Sequence, residues 1–150
     1  LHDKLMYVGS QLVIDTVKQI EAGPVETIPQ NESSAIKSAN KLNRDNCKID
    51  WNTTIEQIHN KVRGLNPYPA AWSYLQNGDE MLDIKIYETT VEHEDHKMAI
   101  GTVVSDKKSL KVAVREGYVF IQEIKLPGKR KMETKALLNG YHFHDNAKVL

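Results

Sequence analysis

The amino-acid sequence has little of several patterns that define whole classes of protein. Cys47 is the only cysteine among 150 residues, which excludes an internal disulfide and is typical of a reducing, cytoplasmic compartment. No apolar run approaches the ~18 residues of a membrane-spanning helix, so no membrane partner is expected. The eight glycines are isolated from one another, which excludes a glycine-rich phosphate loop.

The charges of the chain cancel in total but are unevenly distributed. The sequence contains 20 basic and 20 acidic residues, yet residues 79–96 have a net charge of −6 and residues 97–135 a net charge of +6. One interpretation is that these charges only solvate outward strand faces. The other is a track of cations that binds a polyanion by releasing its counterions.

The predicted track combines cations of a linker with cations of a turn late in the chain. They are Lys37, Lys41, Arg44 and Lys48 in the linker, and Lys129, Arg130 and Lys131 in the turn. Further basic residues that could extend the track are Lys107, Lys108, Lys111, Arg115, Lys125 and Lys135. Flexible basic side chains on a turn can reach phosphates, so these residues predict a nucleic-acid interface.

Two predicted helices and an irregular segment come before the first strands. An apolar stripe predicts a helix over residues 1–20, ended by Gly23-Pro24. Because the sequence starts inside this helical pattern, we expect a fragment whose preceding part is missing. Residues 26–48 are polar and predict a linker. The capping box Thr53-Thr-Ile-Glu56 predicts a second helix, ended by Asn66-Pro67.

The hydrophobic period then changes to two, which predicts strands. They span residues 71–75, 81–90, 98–105, 110–114 and 118–126. Asn77-Gly78 is typical of a hairpin turn between the first two strands, and a short helix is expected at residues 135–139. About five antiparallel strands with flanking helices predict a mainly β fold, an OB-like antiparallel barrel preceded by a helix and a linker.

No complete catalytic constellation is present in the sequence. His93 and His96, and likewise His142 and His144, have spacings that could suit metal ligands. The first pair lies in a predicted loop, and the second would share a face only in an extended chain. We therefore favour exposed loop and tail histidines over a metal site, and expect no catalytic residue.

Motifs spread over nearly the whole chain resemble the methionyl-tRNA formyltransferase family. Leu1-His-Asp-Lys-Leu5 is similar to the helix that closes the family's catalytic domain, and Pro29-Gln30 to the start of its interdomain linker. The most specific matches are Lys48-Ile-Asp-Trp51 and Arg63-Gly-Leu-Asn-Pro-Tyr-Pro-Ala-Ala-Trp72. Gly128-Lys-Arg-Lys-Met132 is similar to a basic family motif.

The resemblance implies an enzyme that transfers a formyl group from 10-formyltetrahydrofolate to the amino group of methionine on initiator tRNA. The family's catalytic residues and folate pocket lie in a domain that would precede Leu1, so neither is expected here. Residues 1–25 would be the last helix of that catalytic domain, residues 26–48 the interdomain linker, and residues 49–150 the OB-like tRNA-binding domain. The implied partners are initiator methionyl-tRNA and the catalytic domain, and the helix over residues 1–20 could also pair with a second copy.

In the family, a positively charged linker and C-terminal domain contact the acceptor stem of the tRNA. The resemblance carries this role to Lys41, Arg44 and Lys48, and by position and charge to Lys129, Arg130 and Lys131. The sequence departs from the family pattern at Lys37, which has no counterpart, at Tyr68, where Trp is usual, and at Ala70, where Gly is common.

Two alternatives remain open from the sequence. The chain could be the C-terminal module of a sugar N-formyltransferase or another formyltetrahydrofolate-using enzyme, which would need no cationic track. It could also be a free-standing OB-type nucleic-acid-binding module, which would need an exposed platform of aromatic side chains. The aromatic residues available for stacking are Trp51, Tyr68, Trp72, Tyr74, Tyr87 and Tyr118. Most of them are expected to be core or half-buried residues, and Trp72 is expected in the core.

Overall fold

The computed structural model describes residues 1–29 and 39–150, in two units, Leu1–Ala39 and Asn40–Leu150. Lys37 lies outside the described residues. The first unit contains helix α1, His2–Ala22, as the apolar stripe predicts, and side chains of that stripe such as Leu5 and Leu12 are exposed. Among the helices of residues 1–29 and 39–150, none has the length and hydropathy to cross a membrane.

The second unit is built on one antiparallel sheet. Its strands are β1 (Ala71–Asn77), β2 (Glu80–His93), β3 (Val103–Ser105), β4 (Leu110–Val114), β5 (Gly117–Lys125), β6 (Met132–Glu133) and β7 (Lys148–Val149). They are ordered β3-β4-β5-β2-β1-β7, and β6 pairs with β5. A bridge between Thr102 and Lys148 joins the two edges of this sheet. The predicted OB-like barrel is therefore confirmed as a nearly closed barrel with flanking helices.

Three short helices accompany the barrel, α2 (Arg44–Cys47), α3 (Ile55–Leu65) and α4 (Thr134–Leu138). Helix α3 packs on β2 and β5 and buries Ile55, Ile58, Val62 and Leu65 in the core. Burying one such side chain contributes about 1.5–3 kcal/mol. This apolar face is what holds α3 on the barrel.

The start of α3 differs from the prediction by one residue. Thr54 is the N-cap, and its hydroxyl and the side chain of Gln57 form the reciprocal capping box. Thr53 lies one residue earlier, in the bend before the helix, where its hydroxyl donates to the carbonyl of Asp50 at 2.9 Å. The predicted box of Thr53 and Glu56 is therefore wrong, although the helix itself is confirmed.

The strand boundaries also differ from the sequence-based prediction. Strand β2 continues to His93, where a loop was expected from residue 91. The strand expected over residues 98–105 is reduced to β3, because the chain turns at Gly101, whose φ is 86°. This turn is closed by Thr102, whose hydroxyl donates to the carbonyl of Ala99 at 2.7 Å.

Candidate nucleic-acid interface

The basic segment before the barrel is tied to strand β1. The backbone N–H of Ile49 donates to the carbonyl of Trp72 at 2.8 Å, and Lys48 forms a parallel bridge with Trp72. Further back, the amide nitrogen of the Asn46 side chain donates to the carbonyl of Lys41 at 2.9 Å. The cations of this segment from Lys41 onward thus have defined places on the barrel.

Arg44 lies over the ring of Trp72. Its guanidinium carbon is 3.9 Å from the ring centre, and Nε1 of Trp72 donates to the carbonyl of Arg44 at 2.6 Å. The guanidinium also pairs with the carboxylate of Asp83. Hydrogen bonds to Asp83, and secondarily to Tyr74, raise the pKa of Arg44 above its ordinary value. Asp83 consequently offsets part of the charge that Arg44 could offer to a phosphate.

Lys48 lies beside the same pair of aromatic rings. Its ammonium nitrogen is 5.0 Å from the ring centre of Tyr74 and 5.8 Å from that of Trp72. The two rings meet edge to face, 5.0 Å apart. Within residues 1–29 and 39–150, no carboxylate forms a salt bridge with Lys48. Lys48 therefore presents its charge next to an aromatic surface.

The strand register extends these contacts across the sheet. Trp72 on β1 is opposite Lys85 on β2, and Lys85 is opposite Lys125 on β5. Directly opposite residues of antiparallel strands share a face, and two like charges in this arrangement destabilise the sheet. We call the cations Arg44, Lys48, Lys85 and Lys125 the cation row. Lys85 and Lys125 are thus two like charges held side by side. Such an arrangement is expected where a surface binds an anion.

The turn after β5 carries the second predicted group of cations. Lys129 and Arg130 are exposed, and the backbone N–H of Lys129 donates to the carbonyl of Leu126 at 3.1 Å. Lys131 is engaged, since its ammonium nitrogen is 2.7 Å from a carboxylate oxygen of Glu123 and 5.3 Å from the ring centre of Tyr87. The turn follows directly on the strand that carries Lys125, so it continues the cation row along the chain.

The other basic residues considered from the sequence lie elsewhere on the sheet. Lys107 and Lys108 belong to the turn between β3 and β4, and Lys111 lies on β4 with its ammonium 3.6 Å from the ring centre of Tyr118. Strand β4 is separated from β2 by β5. Lys107, Lys108 and Lys111 are therefore not strand neighbours of Lys85, and they are not counted in the cation row.

The histidines make local contacts. His93 is 3.1 Å from the carboxylate of Glu56, and His96 contacts the carbonyl of Gly117 at 2.9 Å. The ring centres of His142 and His144 are 5.6 Å apart. In the part of the chain that the structure describes, no group of three or more His, Cys, Asp or Glu side chains could hold a metal ion.

Lys85 was missed as a candidate from the sequence, because it is the single cation in the acidic segment 79–96. The available signal was the alternation of Asp83, Lys85 and Tyr87, which places Asp83 and Lys85 on the outward side of a half-buried strand. Pairing of Arg44 with Asp83 joins residues 39 positions apart. Such a contact follows from the fold and not from local sequence.

Comparison with known proteins gives a family match over most of the chain. Residues 41–142 match the family model described as formyl transferase, C-terminal domain. The matched range begins at Lys41 and contains the whole cation row and the turn after β5.

Curated relatives match almost the full length of the chain. The chain is 48% identical over 149 residues to a methionyl-tRNA formyltransferase of Flavobacterium johnsoniae, covering 99% of this chain and 47% of the relative. It is 41% identical over 154 residues to a methionyl-tRNA formyltransferase of Bacteroides fragilis, covering 99% of this chain and 48% of the relative. The chain thus spans about half the length of the curated relatives it matches.

Proposed function

The chain belongs to the family of the formyl transferase C-terminal domain, and from this premise we propose that it is the tRNA-binding part of a methionyl-tRNA formyltransferase. The proposed reaction is transfer of a formyl group from 10-formyltetrahydrofolate to the amino group of methionine on initiator tRNA. The proposal is supported by the names of relatives that share 48% and 41% of their aligned residues with this chain.

The observation that carries the tRNA-binding role is the cation row, which extends from the segment before β1 to β2 and β5. Lys85 and Lys125 are register partners, and Arg44 and Lys48 lie against Trp72 on the adjacent strand. Cations that neutralise phosphates gain free energy from counterion release without reading a base. Phosphate contacts of this kind determine the register and orientation of the nucleic acid.

In the proposed mechanism this chain positions the substrate and does not perform the bond exchange. Formyl transfer requires the methionyl amine and the formyl carbon to be held in near-attack geometry. Binding the RNA stem through its phosphates would hold the aminoacylated end in one place. The catalytic residues and the folate-type donor are proposed to lie outside these 150 residues, with residues 1–25 as the last helix of a catalytic domain, residues 26–48 as the linker and residues 49–150 as the tRNA-binding domain.

The first experiment measures RNA binding by the chain. Fluorescence anisotropy with initiator tRNA over a series of KCl concentrations is expected to give weak affinity that falls steeply with salt. Replacing Lys48, Lys85 and Lys125 by Gln should reduce the slope of log affinity against log salt by up to about 3 units. A slope that does not change would remove the cation row from the interface.

The second experiment tests the enzyme to which the chain is assigned. The 149 matched residues of the Flavobacterium johnsoniae relative are replaced by this chain, and kcat/KM is measured for formylation of methionyl-tRNA and of an amino sugar. Formylation of methionyl-tRNA supports the proposal, and the isolated chain is expected to show no transfer. Preference for the amino sugar would instead favour a module of a sugar N-formyltransferase.

A further inference from the structure

Tyr68 presents an aromatic ring to solvent in a constrained loop. The residue is 87% exposed, whereas Trp72 and Tyr118 are each 6% exposed. Its neighbours Pro67 and Pro69 have their φ angles restricted by their rings, and the backbone N–H of Ala70 donates to the carbonyl of Leu65 at 2.9 Å. The backbone that carries the ring is thus restrained, so it loses little conformational freedom when a ligand stacks on the ring.

Tyr68 is also one of the residues that line a cleft beside the cation row. The cleft has a volume of about 280 Å³ and is also lined by Arg44, Trp72 and Lys85. This volume is just below the usual ~300–1,000 Å³ of small-molecule sites, so the cleft suits one planar group of the size of a nucleobase. We call it the Tyr68 cleft.

The side chains around the Tyr68 cleft differ in the contacts that they already make within the protein. The face of Trp72 is covered by Arg44, whose own charge is shared with Asp83. Within residues 1–29 and 39–150, Lys85 makes one hydrogen bond, from Nζ to the carbonyl of Pro69 at 3.2 Å, and an ammonium group has three donors. Tyr68, whose ring is exposed, and Lys85, whose ammonium has further donors, thus line the same cleft.

We propose that the Tyr68 cleft binds one unpaired nucleotide of the RNA substrate, with its base stacked on the Tyr68 ring and its phosphate on Lys85. This inference rests on the proposed function and adds a stacking contact to phosphate binding. Alternation of aromatic faces with cations is typical of surfaces that bind single strands. Base stacking is sequence-tolerant, so the cleft detects that a nucleotide is unpaired and not which base it carries.

The test compares two RNA hairpins, one with a short single-stranded 3′ tail and one with a blunt end, by fluorescence anisotropy. In Tyr68→Leu the affinity for the tailed hairpin should fall about five- to a hundredfold, while the affinity for the blunt hairpin and the salt slope stay unchanged. Tyr68→Phe keeps an aromatic face and should retain most of the affinity. Tyr7→Leu on α1, where the tyrosine is 69% exposed, is the matched control and should bind both hairpins like the parent.

Each result decides between the two proposals. If the parent chain binds neither hairpin, the proposed function and the inference both fail. If the parent binds both hairpins equally and Tyr68→Leu behaves like the parent, only the inference fails, and the exposed ring is left for a protein contact. Saturable binding of AMP that is lost in Tyr68→Leu, without any preference for the tailed hairpin, would assign the cleft to free nucleotides and overturn the RNA assignment.

Discussion

The indole of Trp72 binds Arg44 twice, through a 2.6 Å hydrogen bond from Nε1 to the Arg44 carbonyl and through stacking of the guanidinium 3.9 Å from the ring centre. One buried side chain thereby holds both the backbone and the side chain of a residue from the segment before the barrel. The same ring is the register partner of Lys85. Trp72 therefore connects the basic segment to the strand that carries the middle of the cation row.

Trp72→Phe tests this connection. Loss of the indole hydrogen bond and of part of the cation–π contact should lower the free energy of unfolding by about 2 kcal/mol. Amide hydrogens of residues 44–48 should exchange faster in hydrogen-exchange mass spectrometry. Tyr141→Phe is the control, because it removes the hydrogen bond that the side-chain amide of Asn77 donates to the Tyr141 hydroxyl at 3.0 Å. Equal exchange of residues 44–48 in both variants would contradict the role assigned to Trp72.

Asp83→Asn should strengthen nucleic-acid binding. The substitution removes the carboxylate that pairs with Arg44, so the full guanidinium charge becomes available to a phosphate. The salt slope should become steeper by up to about 1 unit. Unfolding free energy should change by less than about 1 kcal/mol, because the side chains of the pair are 58% and 38% exposed.

The control for Asp83→Asn is Asp79→Asn, which removes the same charge at the turn between β1 and β2. Asp79 forms no salt bridge with a cation in the ranges that the structure describes. A parallel titration of the two variants in KCl separates the local effect on Arg44 from a change in net charge. Weaker RNA binding in Asp83→Asn would show that the ion pair orients Arg44 for the RNA, and that this orientation contributes more to binding than the released charge does.

The main elements of the barrel were predictable because each is long enough for its hydrophobic period to be recognised in the sequence. Helix α3 and strands β1, β2, β4 and β5 were predicted, since their apolar residues recur with the helical or the strand period over five or more residues in each. Strands β6 and β7 have two residues each and α2 has four. Elements of this length have no measurable period, and they form because the rest of the barrel supplies their hydrogen-bond partners.

The candidate interface was only partly accessible from the sequence. Charge and the family resemblance selected Arg44 and Lys48, and their roles remain predictions. Lys85 could not be selected from local charge, because what makes it a candidate is the strand register that places it opposite Lys125. The exposure of Tyr68 was equally unpredictable from the sequence, since Trp72, four positions later, is buried.

Gly117→Ala should strongly destabilise the barrel. A Cβ at this position would lie 2.0 Å from the carbonyl oxygen of Glu92, and the φ of Gly117 is 144°. The atoms that this Cβ would contact belong to the backbone of residues 92–94 and cannot move aside. We therefore expect the free energy of unfolding, measured in urea, to fall by more than about 3 kcal/mol. Gly140→Ala is the control, since nothing lies within 4 Å of its added Cβ. Equal midpoints for the two variants would refute the close approach at Gly117.

Asp106→Asn should change the acid dependence of stability. Hydrogen bonds from the backbone N–H groups of Lys108 and Ser109 lower the pKa of Asp106 below its ordinary value. Its ionised form therefore stabilises the fold above the unfolded-state pKa, and this contribution is lost as the pH falls through the lower folded-state pKa.

Urea unfolding at about pH 7 and at about pH 3 measures this effect. Asp106→Asn should be less stable than the parent at the higher pH, and the difference should narrow at the lower pH. Asp95→Asn removes a carboxylate in the loop between β2 and β3 and serves as the control. If the stability difference between Asp106→Asn and the parent is the same at both pH values, the side-chain geometry of Asp106 and not its ionisation would be responsible.

The turn after β5 contains cations that should differ in their contribution to RNA binding. Lys129 and Arg130 are exposed, whereas Lys131 is paired with Glu123 at 2.7 Å. Lys129→Gln and Arg130→Gln together should reduce the salt slope by up to about 2 units if both side chains contact phosphate. Lys131→Gln alone should reduce it less than Lys129→Gln alone, because binding a phosphate must first break an existing ion pair. Anisotropy titrations in KCl give the comparison, and a larger effect of Lys131→Gln would mean that Glu123 aims this ammonium at the RNA instead of withholding it.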